Sequence, residues 1–283
     1  MKFSEAFSPG SLALSFELFP PKTADGEALL FQNLKELAAY EPSFITCTCG
    51  AGGSTGTKTL EIISRVHREF AGPVASHLTC VGCTVDELRA YLSEAWSRGI
   101  ENIVALRGDP PKGQSSFEAT QGGLKYANEL VALIRAEFPQ FGIAVAGYPE
   151  KHQECVDFDT DLKNLQRKVA AGADVVITQL FYDNADFFRF RERCEQLGID
   201  VPIVPGILPV TNLAQIQRIA SLCGAQLPGT FCAALERCQN DDAGQFEAGV
   251  DYATQQVQEL IDAGVPGIHF YVLNKWQATA RVL

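Results

Sequence analysis

DLKNLQRKVAAGADVVITQLF, residues 161–181, holds two periodicities joined by a glycine. Leu162, Leu165 and Val169 recur at helical spacing and lay one apolar stripe along a helix expected over 160–172. Gly172 is a stop signal, because glycine enters the left-handed backbone region without a Cβ clash. From Asp174 to Phe181 the chain is nearly all apolar and rich in Val and Ile. That is how a strand buried on both faces reads. A helix followed at once by such a strand is half of a parallel α/β unit.

The unit repeats in both directions. Strands are expected at 12–19, 43–49, 74–80, 102–107, 142–148, 174–181, 201–208 and 267–273. Helices are expected at 26–40, 57–70, 84–98, 121–137, 160–172, 184–197 and 211–223. In 84–98, Thr84 and Glu87 have capping-box spacing, which satisfies free N–H groups at a helix start. Val85, Leu88, Leu92, Ala95 and Trp96 follow on one face, and Gly99 stops the helix. Leu213, Ile216, Ile219 and Ala220 repeat the stripe in 211–223. Residues 228–263 are extra material, read as two more helices between strands seven and eight. Eight strands joined by helical crossovers predict an α/β fold, a (β/α)8 TIM barrel, with 1–283 forming a single catalytic domain. An open doubly wound sheet is the alternative.

Composition fits. A chain of 283 residues suits one barrel, which needs ~250. Apolar residues at 46% and charged residues at 20% exclude a disordered chain. Lys and Arg number 23 against 34 Asp and Glu, a net charge of −11. Such a chain repels phosphate backbones and anionic lipid, so no nucleic-acid or membrane partner is expected, though a local basic pocket could hold an anionic cofactor. No apolar window approaches the ~18–20 residues of a membrane helix. Residues 1–7 hold no signal-peptide core. Nine cysteines, an odd number, read as reduced thiols and a cytoplasmic location.

In a barrel, chemistry sits at the C-terminal ends of the strands. Glu17 lies there, flanked by Phe16, Leu18 and Phe19. Apolar surroundings disfavour a charged carboxylate and suit a general acid, while pairing with Arg107 or a lysine inside the barrel is the competing reading. Asp109 follows Arg107 and Gly108 and precedes Pro110-Pro111. Glycine lets backbone approach a ligand and proline stiffens the exit, yet a turn Asp beside an Arg explains the same residues. Gln179 follows Val175, Val176 and Ile177, and a buried amide there needs partners, from a ligand or from neighbours. Asp161, Asn164 and Lys168 share a helix stripe, with Arg167 beside it. They could hold nucleotide phosphates or form a solvated face.

Three patterns carry less. Residues 50–56 (GAGGSTG) follow a strand like a dinucleotide fingerprint, but Thr55 fills the third glycine slot and no acid ends the next strand, so a loop is expected. Cys80 and Cys83, with Cys47 and Cys49, suggest zinc, but C-x-C within a strand is poor ligand spacing, and no metal is expected. His67, His77, His152 and His269 form no H-x-x-x-H pair. A lone strand histidine reads as a satisfied core residue.

Together the strand ends resemble the methylenetetrahydrofolate reductase family in its bacterial single-domain form. The matching stretches are SFELFPP (15–21), HLTC (77–80), IVALRGDP (103–110), AGYPE (146–150), DLKNLQRKVAAG (161–172), ITQLFYD (177–183), PGILPV (205–210) and HFYVLN (269–274). They run in family order from residue 15 to about 275. The resemblance implies a barrel holding FAD, reduction of the flavin by NADH or NADPH, and hydride transfer to 5,10-methylenetetrahydrofolate, giving 5-methyltetrahydrofolate. It implies that Glu17 protonates folate N10, that Asp109 stabilises the resulting N5 iminium and contacts the flavin, and that Gln179 binds the pterin. Thr48, His77, Arg107, Gly108, Tyr126, Ala127, Tyr148, His152, Asp161, Asn164, Arg167 and Lys168 match positions that hold FAD. A homo-oligomer is compatible with the resemblance.

The chain departs from the family pattern at three positions. Cys49 stands where many members have an aromatic, Leu213 where a Phe stacks on nicotinamide or folate, and Lys275 where an Arg would meet the folate glutamate tail. A lysine binds a carboxylate without the bidentate fork of arginine. Two other readings compete: a non-catalytic folate- or flavin-binding partner subunit that keeps the barrel, and a metal or Schiff-base barrel enzyme. Glu17, Asp109 and Gln179 argue against the first. The second lacks a ligand set and a lysine in an apolar strand end.

Overall fold

The computed structural model describes residues 2–7, 10–49, 56–70, 72–110 and 119–283. The glycine-rich loop read at 50–56 lies outside them except for Gly56. The strands are β1 (Ala13–Leu18), β2 (Phe44–Cys47), β3 (Val74–Thr79), β4 (Asn102–Leu106), β5 (Gly142–Gly147), β6 (Val175–Thr178), β7 (Ile203–Val204), β8 (Gly206–Ile207) and β9 (Gly267–Tyr271). The helices are α1 (Phe3–Ala6), α2 (Ala24–Ala38), α3 (Gly56–Phe70), α4 (Val85–Ser97), α5 (Ala127–Glu137), α6 (Phe158–Ala170), α7 (Asn184–Gln196), α8 (Leu213–Cys223), α9 (Gly229–Arg237), α10 (Asp242–Asp262) and α11 (Gln277–Val282).

Every strand pair is parallel, in the order β7-β6-β5-β4-β3-β2-β1-β9-β8. β7 and β8 are two halves of the strand expected at 201–208. Pro205 separates them, since proline has no N–H to donate to a ladder. β7 pairs with β6 and β8 with β9, so this broken strand links the two ends of the sheet into a nearly closed barrel. The open doubly wound alternative is thereby excluded.

Strand alternation makes two cores. Phe16, Leu18, Ile45, Cys47, Ile103, Ile143, Val145, Val176 and Phe270 point outward against helix residues such as Leu34, Ile63, Leu92, Ile134 and Leu162. The intervening residues point inward. Phe44, Ala75, Val104, Ala144, Val175 and Val204 form an apolar floor with Phe3 of α1. The Phe3 ring meets Phe44 edge-on at 4.9 Å, and its N–H donates to Asn102 Oδ1 at 2.8 Å. Side chains thus plug the lower barrel and leave chemistry to the upper rim. No periodicity announces α1, because four residues are too few to show one.

Two helix readings need correction. The helix expected from 121 begins at Ala127, because Gly122 and Gly123 form a turn, with Gly122 at φ +76° and the Gly123 N–H donating to Thr120 O. On α4, Leu88, Leu92 and Ala95 are buried as expected. Trp96 is instead 42% exposed, with its edge on Phe141, and Val85 is half-buried. The capping box forms: Thr84 N–H donates to Glu87 Oε2 at 2.8 Å, and Glu87 N–H to Thr84 Oγ1 at 3.3 Å.

Candidate active site

Glu17 points into the barrel mouth from β1 and is only 7% exposed. Neither Arg107 nor a lysine is its partner. Two imidazoles converge on one carboxylate oxygen: His77 Nε2 lies 3.4 Å and His269 Nε2 3.6 Å from Oε2. Ser15 Oγ sits 2.8 Å from His269 Nδ1 and so orients that ring from behind. Burial, the largest influence, pushes His77 below its ordinary value; Glu17 opposes this and His269 adds to it. Burial thus favours the uncharged form of the His77 ring. Both strand histidines are buried, as a core reading expects, but both lie beside Glu17, and His269 Nε2 has no hydrogen-bond partner among the described residues.

At the β4 exit, Gly108 has φ +88°, and a Cβ there would sit 2.5 Å from Val81 Cγ1. Only glycine lets the chain turn this closely over the β3 exit. The turn leaves Asp109 exposed at the rim. Arg107 grips Glu154 through both terminal nitrogens, at 2.6 and 2.8 Å, and its Nε donates to Gly108 O. That bidentate pair holds Arg107 above its ordinary value and Glu154 below.

Beyond β5, Tyr148 and His152 meet edge-on at 4.7 Å. His152 N–H donates to Asp161 Oδ2 at 2.9 Å, and Glu154 N–H to His152 Nδ1 at 3.2 Å. Asp161 belongs to α6, as do Asn164, Arg167 and Lys168. Arg167 is exposed and donates to Asn164 Oδ1 at 3.0 Å. Lys168 Nζ donates to Ala146 O and lies 5.8 Å from the Tyr148 ring centroid. Withdrawal from water lowers Lys168 to about 8, with Asp161 opposing. So the α6 stripe is no free solvated face: Asp161 and Lys168 are tied to the β5 exit.

Electrostatic neighbours connect the two carboxylates. Burial raises the Tyr148 phenol, and the fields of Asp161 and Asp109 raise it further. Burial likewise raises Tyr271, followed by Glu17 and Tyr148. Tyr271 donates from its hydroxyl to Thr178 O at 2.6 Å, across Gly206, where a Cβ would press on the Tyr271 ring. Glu17, on β1, and Asp109, just beyond β4, both lie on the C-terminal side of the parallel sheet; Tyr271 feels the charge of Glu17, and Tyr148 that of Asp109.

Gln179 enters this mouth from the β6 exit. Its Oε1 accepts the Leu180 N–H at 2.9 Å, which turns the Nε2 donors the other way. Thr48 sits at the β2 exit, its N–H on Leu18 O and its carbonyl accepting from Thr59 Oγ1. Tyr126 and Ala127 stand farther out, at the start of α5; Tyr126 is 47% exposed and its carbonyl accepts from Cys80 Sγ. Lys275 is exposed and lines a cavity of about 370 Å³ behind Tyr271, with Asn33, Thr211, Gln215 and Phe246 among its walls. Among the described residues no group of three or more His, Cys, Asp or Glu is placed to hold a metal.

Ser15, His269, Tyr271, Glu154 and Gln215 were missed from sequence. A period-two reading outward from Glu17 and Asp109 would have pointed Ser15, His269 and Tyr271 inward. No local pattern marks Glu154 or Gln215.

Solved structures share the fold. A protein from Clostridium thermocellum, described as binding two copies of 5-methyl-5,6,7,8-tetrahydrofolic acid, superposes with a TM-score of 0.64 at 14% identity, over 96% of this chain and 93% of that one. An oxaloacetate acetylhydrolase superposes with a TM-score of 0.53 at 9% identity, over 99% and 82%. At the level of sequence, the Salmonella typhimurium 5,10-methylenetetrahydrofolate reductase is 40% identical over 94% of this chain and 88% of its own length. The Escherichia coli enzyme of the same name is 39% identical over the same shares. Methylenetetrahydrofolate reductase (NADH) 1 of Arabidopsis thaliana is 41% identical over 100% of this chain but 49% of its own length, so the chain spans about half of the plant relatives it matches. The profile of one family, described as methylenetetrahydrofolate reductase, matches residues 2–283, and the chain belongs to that family.

Proposed function

We propose that this chain reduces 5,10-methylenetetrahydrofolate to 5-methyltetrahydrofolate with NADH or NADPH, using bound FAD, and that 1–283 is one catalytic barrel working in the cytoplasm, alone or as a homo-oligomer. The carrying observation is Glu17: a buried carboxylate inside the barrel at the C-terminal end of β1, with two imidazole nitrogens 3.4 and 3.6 Å from one of its oxygens.

The donor set fits FAD. Arg107 and Lys168 supply cations suited to a pyrophosphate, with Arg167 beside them. Thr48, His152, Asp161 and Asn164 offer hydrogen-bonding groups for ribityl and ribose hydroxyls. Tyr148 and His77 offer ring faces and edges, Gly108 a close backbone approach, and Tyr126 and Ala127 an outer wall. Bound there, FAD would supply the hydride chemistry.

Glu17 would deliver a proton to folate N10 and open the five-membered ring. His77 and His269, the latter oriented by Ser15, would hold the acid in place. Asp109 would stabilise the cationic iminium at N5 by charge. Gln179 would donate from Nε2 to the pterin. Lys275 and the adjoining cavity suit the anionic tail of a folate, met by a point charge instead of an arginine fork.

The test is spectroscopic. The purified protein should be yellow or take up added FAD, NADH or NADPH should bleach it, and methylenetetrahydrofolate should restore the colour. A protein that binds no FAD defeats the proposal; one that binds folate and FAD without turnover is the non-catalytic partner instead.

A further inference from the structure

Thr46 is the β2 register partner of Glu17, and both side chains point inward. It is fully buried, and its hydroxyl has no hydrogen-bond partner among the described residues. A hydroxyl carries one donor and two acceptor positions, and burial makes each expensive to leave unmet. Packing does not require it. Valine has the same branched shape and suits a strand as well.

A second orphan lies nearby. His269 Nε2, also fully buried, is 3.6 Å from Glu17 Oε2, too far for a direct bond, and has no hydrogen-bond partner among the described residues. A polar contact of that length is where a bridging water belongs. Thr46 pairs on its other side with Ala75, whose side chain is one methyl. Below, the Phe44 ring stacks on His269 at 6.2 Å and seals the apolar floor. Two to four polar partners are what a buried water needs. Thr46 Oγ1, His269 Nε2 and Glu17 Oε2 make three.

We propose that Thr46 is a positioning residue for Glu17: with His269 it holds a single water buried beneath the carboxylate. The proposal rests on the reading of Glu17 as the acid. Thr46 acts through the water. When Glu17 is ionised the water donates to its oxygen, and the Thr46 hydroxyl sets the water's orientation. The other titratable groups round Glu17 are His77 from β3 and Tyr271 from β9, which point inward with it, and the Cys47 thiol of β2, which points outward. Among the described residues round Glu17, Thr46 Oγ1 and His269 Nε2 are the buried side-chain polar atoms with no hydrogen-bond partner.

The experiment has two arms. A crystal structure of the FAD-loaded protein at high resolution should show a water within about 2.6–3.2 Å of Thr46 Oγ1, and Thr46→Val should lose it. Stopped-flow kinetics should then separate the half-reactions. In Thr46→Val, flavin reduction by NADH or NADPH stays unchanged and the folate half-reaction slows about tenfold. The limb of its pH profile that reports loss of the acid's proton moves upward by about half a unit or more, since the ionised form loses a donor. Thr46→Ser, which keeps the hydroxyl, should restore both. A Thr46 hydroxyl bonded to a backbone carbonyl with no water beside it overturns the inference, as does an unmoved pH profile in Thr46→Val. If Thr46→Val does not fold, the wild-type structure and Thr46→Ser still decide. Should the wild-type protein bind FAD but not reduce folate, the reading of the reaction fails, while the crystallographic arm still decides the water.

Discussion

The side chain of Asn274 takes both backbone groups of Phe19: its Oδ1 accepts the Phe19 N–H at 2.9 Å and its Nδ2 donates to the Phe19 carbonyl at 2.8 Å. This staple joins the exits of β9 and β1, with Asn33 Nδ2 donating to the Asn274 carbonyl at 2.7 Å. Asn274 has φ +58°, a region that asparagine tolerates better than most side chains. Asn274→Ala should therefore lose two hydrogen bonds and a compatible backbone, about 1–3 kcal/mol in denaturant unfolding. Lys275 follows directly, so the folate KM should rise while NADH-dependent flavin reduction holds. An unchanged unfolding midpoint would show that the staple contributes nothing.

Glu17→Gln keeps volume and removes the proton. FAD binding and flavin reduction by NADH or NADPH should persist, and folate reduction should fall by about 10²–10⁴. Folate turnover near the wild-type rate would mean another group is the acid.

Lys168 predicts opposite pH trends for stability and for FAD. Its folded value, about 8, lies below the ordinary 10.5. Between those values the unfolded chain binds the extra proton, so this residue's contribution to stability rises with pH across that window. An ammonium facing a pyrophosphate works the other way. FAD affinity should fall several-fold as pH rises from 7 through about 8 to 9.5. Fluorescence titration of FAD and thermal melts, each across pH, should show both trends in the wild type and neither in Lys168→Met. Parallel trends would contradict the assignment.

Gly108→Ala puts a Cβ against Val81 in a left-handed backbone. The expected loss is about 1–3 kcal/mol of stability, with weaker FAD binding because Asp109 and Arg107 flank the strained turn. A variant as stable as the parent, with normal FAD affinity, would show that the turn relaxes freely.

Much of the architecture could be read from local pattern. The Val and Ile runs at 102–107, 142–148 and 174–181 are strands because both of their faces are covered, and such segments cannot be amphipathic. Two boundaries slipped where one backbone feature overrode composition, Pro205 splitting a strand and the Gly122-Gly123 turn delaying α5, and the strands expected at 43–49 and 174–181 are shorter, Phe44–Cys47 and Val175–Thr178. The charged candidates were visible in the sequence, while their proposed roles came with the family resemblance. A carboxylate or an arginine at the end of an apolar strand stands out one residue at a time.

Sequence by itself determined the alternation of buried parallel strands with helices, and it placed Glu17, Asp109 and Gln179 at strand ends, because these follow from periodicity and residue type along the chain; the roles proposed for them rest on the family resemblance. Tertiary structure alone decided the partners: His77 and His269 on Glu17, Ser15 on His269, Glu154 on Arg107, Asn274 on Phe19. Closure of the barrel brings β9 beside β1, so residues about 250 positions apart become hydrogen-bond neighbours. No local periodicity encodes such a distance, since it is set by how the whole sheet curves shut.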